Sequence, residues 1–223
     1  MGWSWKFTLQ ILPQLLQAVK ITISATIVSF LIALVCGLWL AFARRSEVKL
    51  LSWVTGGFVE FVRSTPPLVQ LFFIFYVAPH FGLMLSPFTA GVLGLGIHYS
   101  TYLSEVYRAG IDAVPRGQWE AAIALNFSKA QMWMRIILPQ AIRPIVPVLG
   151  NYLIVMFKET PLLSAITLIE LLGQAQIIGS NSFRYLEPIT LVGVFFLILS
   201  YLSSLLVRRL EAWLKLNQKG FIN

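Results

Sequence analysis

From Ile21 to Phe42 the chain runs 22 residues without a charged side chain, and the run ends at Arg44 and Arg45. About 20 mostly apolar residues are what a helix needs to cross a bilayer core. Four more apolar stretches follow: Pro66–Ser86, Phe88–Tyr107, Ile145 to about Leu172, and about Ile189 to Val207. The fold class expected is all-α: a polytopic membrane protein with five transmembrane helices. Composition agrees, since 57% of the residues are hydrophobic and only 12% charged, about half the charge of a soluble domain. That balance excludes a disordered chain and leaves no room for a sizeable soluble domain. We expect one transmembrane domain over residues 1–223. No basic segment leads into a cleavable apolar stretch at the N-terminus, so no signal peptide is expected. A lone Cys36 excludes an internal disulfide and a Cys-based zinc site.

The net charge of +8 sets the orientation. Segments 44–50, 108–143 and 208–223 carry twelve Lys and Arg, against three (Lys6, Lys20, Arg184) on the opposite side. Basic residues mark cytoplasmic loops, so the C-terminus is expected in the cytoplasm and the N-terminus outside. No basic run is long or interleaved with aromatics, which argues against nucleic acid as a partner. Thr65 precedes Pro66-Pro67, and a residue before proline avoids the helical region, so a break is expected there. Trp3, Trp5, Trp39, Trp53 and Trp213 read as interfacial anchors.

The charged stretch of about 109–144 is far longer than most helical connections. Gly117–Leu125 can be helical, and Asn126 suits the left-handed position that ends a helix. Ser128 can cap a second helix, with Gln131 completing a capping box. The stretch therefore predicts two short helices around a tight corner. Ala121-Ala122 beside Glu120 gives a smooth face fit for docking; a surface helix without a partner is the other reading.

Glu120-Ala121-Ala122, Asn126, Ile136 and Leu138-Pro139 resemble the EAA loop of ATP-binding-cassette (ABC) importer permeases, with Asn126 where the family has glycine. The likeness extends to other segments. Arg63-Ser64-Thr65-Pro66 with Gln70 is similar to the R-G-T-P-x-x-x-Q of polar amino acid permeases. Tyr102, Glu105, Arg108, Gly110, Ile111 and Gly117 fall where that branch has its A-Y-x-x-E-x-x-R-x-G-I and G-Q-x-E-A-A residues. Leu138–Arg143 resembles L-P-Q-A-x-R, and Lys158-Glu159-Thr160 resembles K-[DE]-[TS].

This resemblance implies a type I ABC importer transmembrane domain with a cytoplasmic coupling-helix loop. Such a permease is a non-catalytic pore subunit. Its implied partners are a cytoplasmic ATPase dimer, a second permease chain (heterodimer favoured over homodimer) and a periplasmic or lipid-anchored solute-binding protein, at the bacterial inner membrane. Gly117, Glu120, Ala121, Ala122, Asn126, Leu138 and Pro139 would form the ATPase-coupling element. The implied cargo is a polar amino acid or an amino-acid-derived zwitterion, including a compatible solute such as an ectoine. No cofactor is expected on this chain, and ATP with Mg would sit on the ATPase, because nothing here matches G-x-x-x-x-G-K-[ST]. Gly91, Gly94 and Gly96 read instead as close helix packing.

Arg63, Gln70, His98, Lys158, Glu159 and Thr160 are the candidates for a substrate path. Charges beside a helix broken by Pro161 suit such a path; bracing near the interface is the other reading, and it ranks first. Glu60 and Arg63 are spaced to pair on one helical face, as are Glu105 and Arg108. His98 reads first as a hydrogen-bonded packing residue. No metal-ligand cluster or catalytic constellation is visible. The competing function, a stand-alone secondary transporter or channel, would call for an internal repeat or a line of intramembrane ion ligands, and neither is present.

Overall fold

The computed structural model describes residues 2–219, with side chains through residue 212. No strand occurs among them. Helix α1 spans Trp5–Arg44 and at 1.5 Å per residue is about 60 Å long, twice the hydrocarbon thickness. It begins well before the expected first span. Ser4 caps it by accepting from the Phe7 N–H. Pro13 sits inside it. Helix α2 (Lys49–Arg63) is amphipathic and is followed by the expected break at Ser64–Pro66. Helix α3 (Pro67–Phe72) continues through a π turn and a 3-10 turn to Phe81, its axis bent 102° from α2.

Helix α4 (Pro87–Asp112) is capped by Ser86 and packs along α1. The facing residues are small: Ser29, Ala33 and Gly37 of α1 are all buried. Without a hydrophobic drive between helices in lipid, small residues that let backbones approach hold them together. The glycines of α4 serve the same end. A Cβ on Gly96 would lie 2.6 Å from Ile32, and one on Gly94 2.6 Å from Leu71.

Helices α5 (Arg116–Ala124) and α6 (Lys129–Met132) form the expected pair of short helices. A π turn, Trp133–Ile137, joins α6 to α7 (Leu138–Glu159). The fourth apolar stretch does not run on to Leu172. It leaves the α-helix at Thr160 for a 3-10 segment, Thr160–Ile166, because Pro161 offers no N–H to the carbonyl four residues earlier. Helix α8 (Leu171–Ser182), which the sequence reading left unassigned, follows, then α9 (Leu186–Lys219). Three helical stretches among the described residues are long and apolar enough to cross a membrane: Trp5–Arg44, Lys129–Ile166 and Leu186–Ala212. Counting the bent pair α2–α3 as one span makes a fourth. A count of five would add α4, which has the length but carries more polar residues.

Three buried clusters hold the fold. Leu71, Leu95, Leu103, Met156, Leu163 and Ile166 join α3, α4, α7 and the 3-10 segment around α1. Ile11, Leu15, Leu171, Ala175 and Val192 join α1, α8 and α9. Ile111, Val114, Ile137, Ala141 and Ile145 sit beneath the α5–α6 corner.

Candidate functional site: a braced corner and a tyrosine-lined cavity

The corner is built by its own residues. Helix α5 ends because Asn126 takes φ 55, a left-handed conformation that a short polar side chain tolerates. The Phe127 N–H then donates to the Ala122 carbonyl at 3.1 Å. Ser128 and Gln131 complete the capping box in both directions. Trp119 meets Trp133 edge-on at 5.3 Å, and Gln140 Nε2 donates to Gln118 Oε1 at 3.2 Å. Glu120 and Ala121 face outward.

Here the smooth-face expectation needs correction. Ala122 is fully buried, while Ile123 and Leu125 are 66% and 68% exposed. Consecutive helical residues point about 100° apart, so Ala121 and Ala122 cannot share one outer face. Ala121 and Leu125 are exposed about one turn apart, Ile123 is exposed on the other side of the helix, and Met134 lies exposed beyond the corner. These last three were missed; a run of apolar residues on a charged, non-spanning loop was the available signal. Gly117 has open space around it, so close packing does not require glycine there. Leu138 and Pro139 start α7, where Pro139 needs no hydrogen-bond partner.

At the same end of the molecule, Arg44 pairs with Glu105, Arg108 pairs with Glu105 at 2.7 Å, and Arg45 and Arg108 both reach Asp112. The expected Glu105–Arg108 brace is thus part of a ladder tying α1 to α4.

A cavity of ≈ 450 Å³ opens between the α2–α3 break, α4 and α7. Arg63, His98, Tyr99, Tyr102, Tyr152 and Glu159 line it. Arg63 forms no salt bridge with Glu60; its guanidinium lies 5.1 Å over the Tyr102 ring, where the aromatic face attracts a cation. His98 is buried, and its Nδ1 lies 3.1 Å from Gln70 Oε1. The same Gln70 amide donates to Thr65 Oγ1 at 2.6 Å and to the Val62 carbonyl at 2.7 Å. Gln70 therefore closes the break and holds His98 beside the cavity, as a packing histidine would be held. One Glu159 carboxylate oxygen is buried without a protein partner. Thr160 is buried behind it, bonded to the Phe157 carbonyl. Lys158 is exposed and does not line the cavity. The structure thus brings Arg63, His98 and Glu159 together, adds the unforeseen Tyr152, and separates Lys158. Of the tryptophans expected as anchors, Trp5, Trp39 and Trp53 are exposed, Trp3 is partly buried edge-on against Trp5, and the side chain of Trp213 lies outside the described residues.

The sequence profile of the family described as "Binding-protein-dependent transport system inner membrane component" matches residues 33–216. The chain belongs to this permease family. It is 44% identical over 202 residues to a probable amino-acid ABC transporter permease, y4tG, of Sinorhizobium fredii, covering 91% of this chain and 87% of that one. It is 37% identical to the L-cystine transport system permease TcyB of Bacillus subtilis, covering 90% and 88%. The crystal structure of an amino acid ABC transporter with histidines superposes with a TM-score of 0.90 at 35% identity, over 95% of this chain and 99% of that one. This permease is accordingly a non-catalytic, multi-pass, inner-membrane component of an ABC importer, a system that couples it to an ATPase and a solute-binding protein.

Proposed function

We propose that this permease supplies half of the pathway through which an ATP-driven system takes up a polar amino acid or an amino-acid-derived zwitterion, a compatible solute such as an ectoine included. The observation that carries the reading is the pairing of an outward Glu120–Ala121 face on a self-braced corner with a cavity that holds opposite charges at Arg63 and Glu159. The amino acid cargo in the names of its relatives supports the substrate class. A zwitterion brings a carboxylate for Arg63 and an ammonium for Glu159, and the tyrosines give its alkyl portion an amphipathic wall.

On this reading residues 1–223 form a single permease domain of five spans, with the C-terminus and the 109–144 corner in the cytoplasm. Gly117, Glu120, Ala121, Ala122, Asn126, Leu138 and Pro139 build the coupling element. Glu120 and Ala121 make contact; Ala122 and Asn126 keep the shape. The element docks on a cytoplasmic ATPase dimer that carries ATP and Mg, and this chain holds no cofactor. A second, different permease chain completes the pore, and a binding protein delivers solute from outside. Nucleotide closes the ATPase dimer, and the corner carries that two-state change into the membrane. Gln70, His98 and Thr160 position the cavity wall, while Lys158 lies off the path.

The test is reconstitution with the ATPase, the second permease and the binding protein. Glu120→Lys loses about 2–5 kcal/mol of docking free energy, the range for truncating a buried charged contact, so the ATPase no longer co-purifies. Glu159→Gln leaves that association intact and raises the solute KM. Transport that persists without any ATPase overturns the coupling reading. An unchanged KM in both Glu159→Gln and Arg63→Gln overturns the cavity reading.

A further inference from the structure

Gln70 fixes which edge of the His98 ring is free. The Gln70 side-chain nitrogen lies 2.7 Å from the Val62 carbonyl, 3.1 Å from the Thr65 carbonyl and 2.6 Å from Thr65 Oγ1. Carbonyl oxygens only accept, so this end of the amide is its NH2 group and Oε1 is the end turned to His98. Oε1 also only accepts. His98 Nδ1, 3.1 Å away, therefore carries a hydrogen, and in the neutral ring Nε2 holds the lone pair.

His98 lines the tyrosine-walled cavity and Gln70 does not. The Nδ1 edge thus points into the wall, and the Nε2 edge is left for the cavity. Nε2 has no hydrogen-bond partner among the described residues. The Tyr99 and Tyr102 rings each stand 5.3 Å from the imidazole, and only 4% of His98 is exposed. A buried polar atom without a partner calls for one. The rings of Tyr99, Tyr102 and Tyr152 lie 5.9 to 6.1 Å apart, and such an aromatic wall by itself suits a quaternary ammonium. Two features oppose that occupant. The Arg63 guanidinium already covers the Tyr102 ring, and a quaternary ammonium has no N–H for Nε2.

We propose that His98 Nε2 is a specificity-determining acceptor that takes an N–H of the cargo. The N–H comes from the cargo's ammonium or from a side-chain amide or amidine. Zwitterions with no N–H at all, such as simple betaines, leave Nε2 unpaired and are rejected. This inference rests on the cavity reading above and adds a third contact to those of Arg63 and Glu159. Gln70 acts through the ring, as a positioning residue.

Equilibrium binding to the assembled permease–ATPase complex, without the binding protein so that only the permease selects, tests it. The probes are L-glutamine, its N-trimethyl betaine, which lacks the ammonium N–H, and glutamate γ-methyl ester, which lacks the side-chain N–H. The wild type prefers glutamine to one of these analogues by about tenfold, the cost of leaving one buried acceptor unpaired, and the rejected analogue names the donor. His98→Phe keeps a ring in place and erases that preference. A preference retained in His98→Phe, while Arg63→Gln weakens glutamine binding, overturns this inference alone. A wild type that does not bind glutamine, or glutamine binding unchanged by both Arg63→Gln and Glu159→Gln, brings down the cavity reading and this inference together. Nuclear magnetic resonance supplies a measurement that needs no variant at 98. Isotope-labelled histidine nitrogens report two rings in this chain, His80 and His98, and His80→Gln leaves one. Its Nε2 signal is that of a bare nitrogen and moves when glutamine is added, and Gln70→Met mixes the two tautomers. A hydrogen on Nε2 in the glutamine-free wild type overturns the proposal, whether or not His98→Phe folds.

Discussion

Two parts of this permease turn through left-handed residues, and they are held in opposite ways. The corner around Asn126 is closed by neighbours. The Ser128–Gln131 box and the Trp119–Trp133 contact all lie within 15 positions of one another. The stretch from Thr160 to Glu187 contains two left-handed residues, Thr167 and Phe183, and is held from far along the chain. The Leu171 N–H donates to Thr22 Oγ1 at 3.1 Å. The Ser4 N–H donates to the buried Glu187 carboxylate at 3.0 Å, and Arg184, paired with Glu187, donates to the Gly2 carbonyl at 2.9 Å. The corner can therefore shift with a docked partner while keeping its own shape. The 160–187 stretch can shift only together with α1.

Substitutions that remove one bond from each part sharpen this contrast. Thr22→Val has the larger effect. It preserves volume but leaves the Leu171 N–H buried without an acceptor, at a cost of about 1–3 kcal/mol. Thermal unfolding in detergent registers the loss, and amide exchange speeds up at α8 while the corner keeps its protection. Ser128→Ala deletes one half of the capping box and costs about 1 kcal/mol. Its faster exchange is confined to 125–132, and ATPase association weakens without a change at α8. Exchange that spreads from either variant into the other part would show the two to be one cooperative unit.

The same contrast decides what the sequence makes legible. The corner helices and the break at Thr65–Pro66 each depend on residues within a few positions, so spacing alone points to them. The upstream half of α1 was not foreseen because Trp5–Lys20 is mixed in character and is helical through burial against α8 and α9. Helix α8 has a local cap, with Glu170 accepting from the Gly173 N–H at 2.8 Å, but a buried glutamate is an uncommon capping residue, and the Leu171 N–H finds its acceptor at Thr22, 149 positions away. In the cavity, Arg63 and Glu159 were candidates from charge in apolar surroundings. Tyr152 was not, because an aromatic in a span is ordinarily packing, and only the meeting of α4 with α7 turns it inward. Arg63 also found the Tyr102 ring rather than Glu60, a choice made by tertiary contact that helical spacing cannot reveal.

The smallest effect is the most discriminating. Asn126 and Thr167 share a left-handed backbone, with φ 55 and 66, but their side chains differ in what that conformation costs them. Asn reaches it readily through local hydrogen bonding, whereas a β-branched residue is strained there. Glycine removes the strain at either site and adds entropy to the unfolded chain. At 126 these changes nearly cancel, so Asn126→Gly alters stability by no more than a few tenths of a kcal/mol, roughly the spread between good capping residues. At 167 relief of strain dominates, and Thr167→Gly stabilises by about 1 kcal/mol, the lower end of what a residue in a sparse backbone region stores. Thermal midpoints of the two variants, measured side by side, carry the comparison. A Thr167→Gly variant no more stable than wild type would mean that the long-range ties to α1 set that turn without strain, and that the two turns differ in their partners alone.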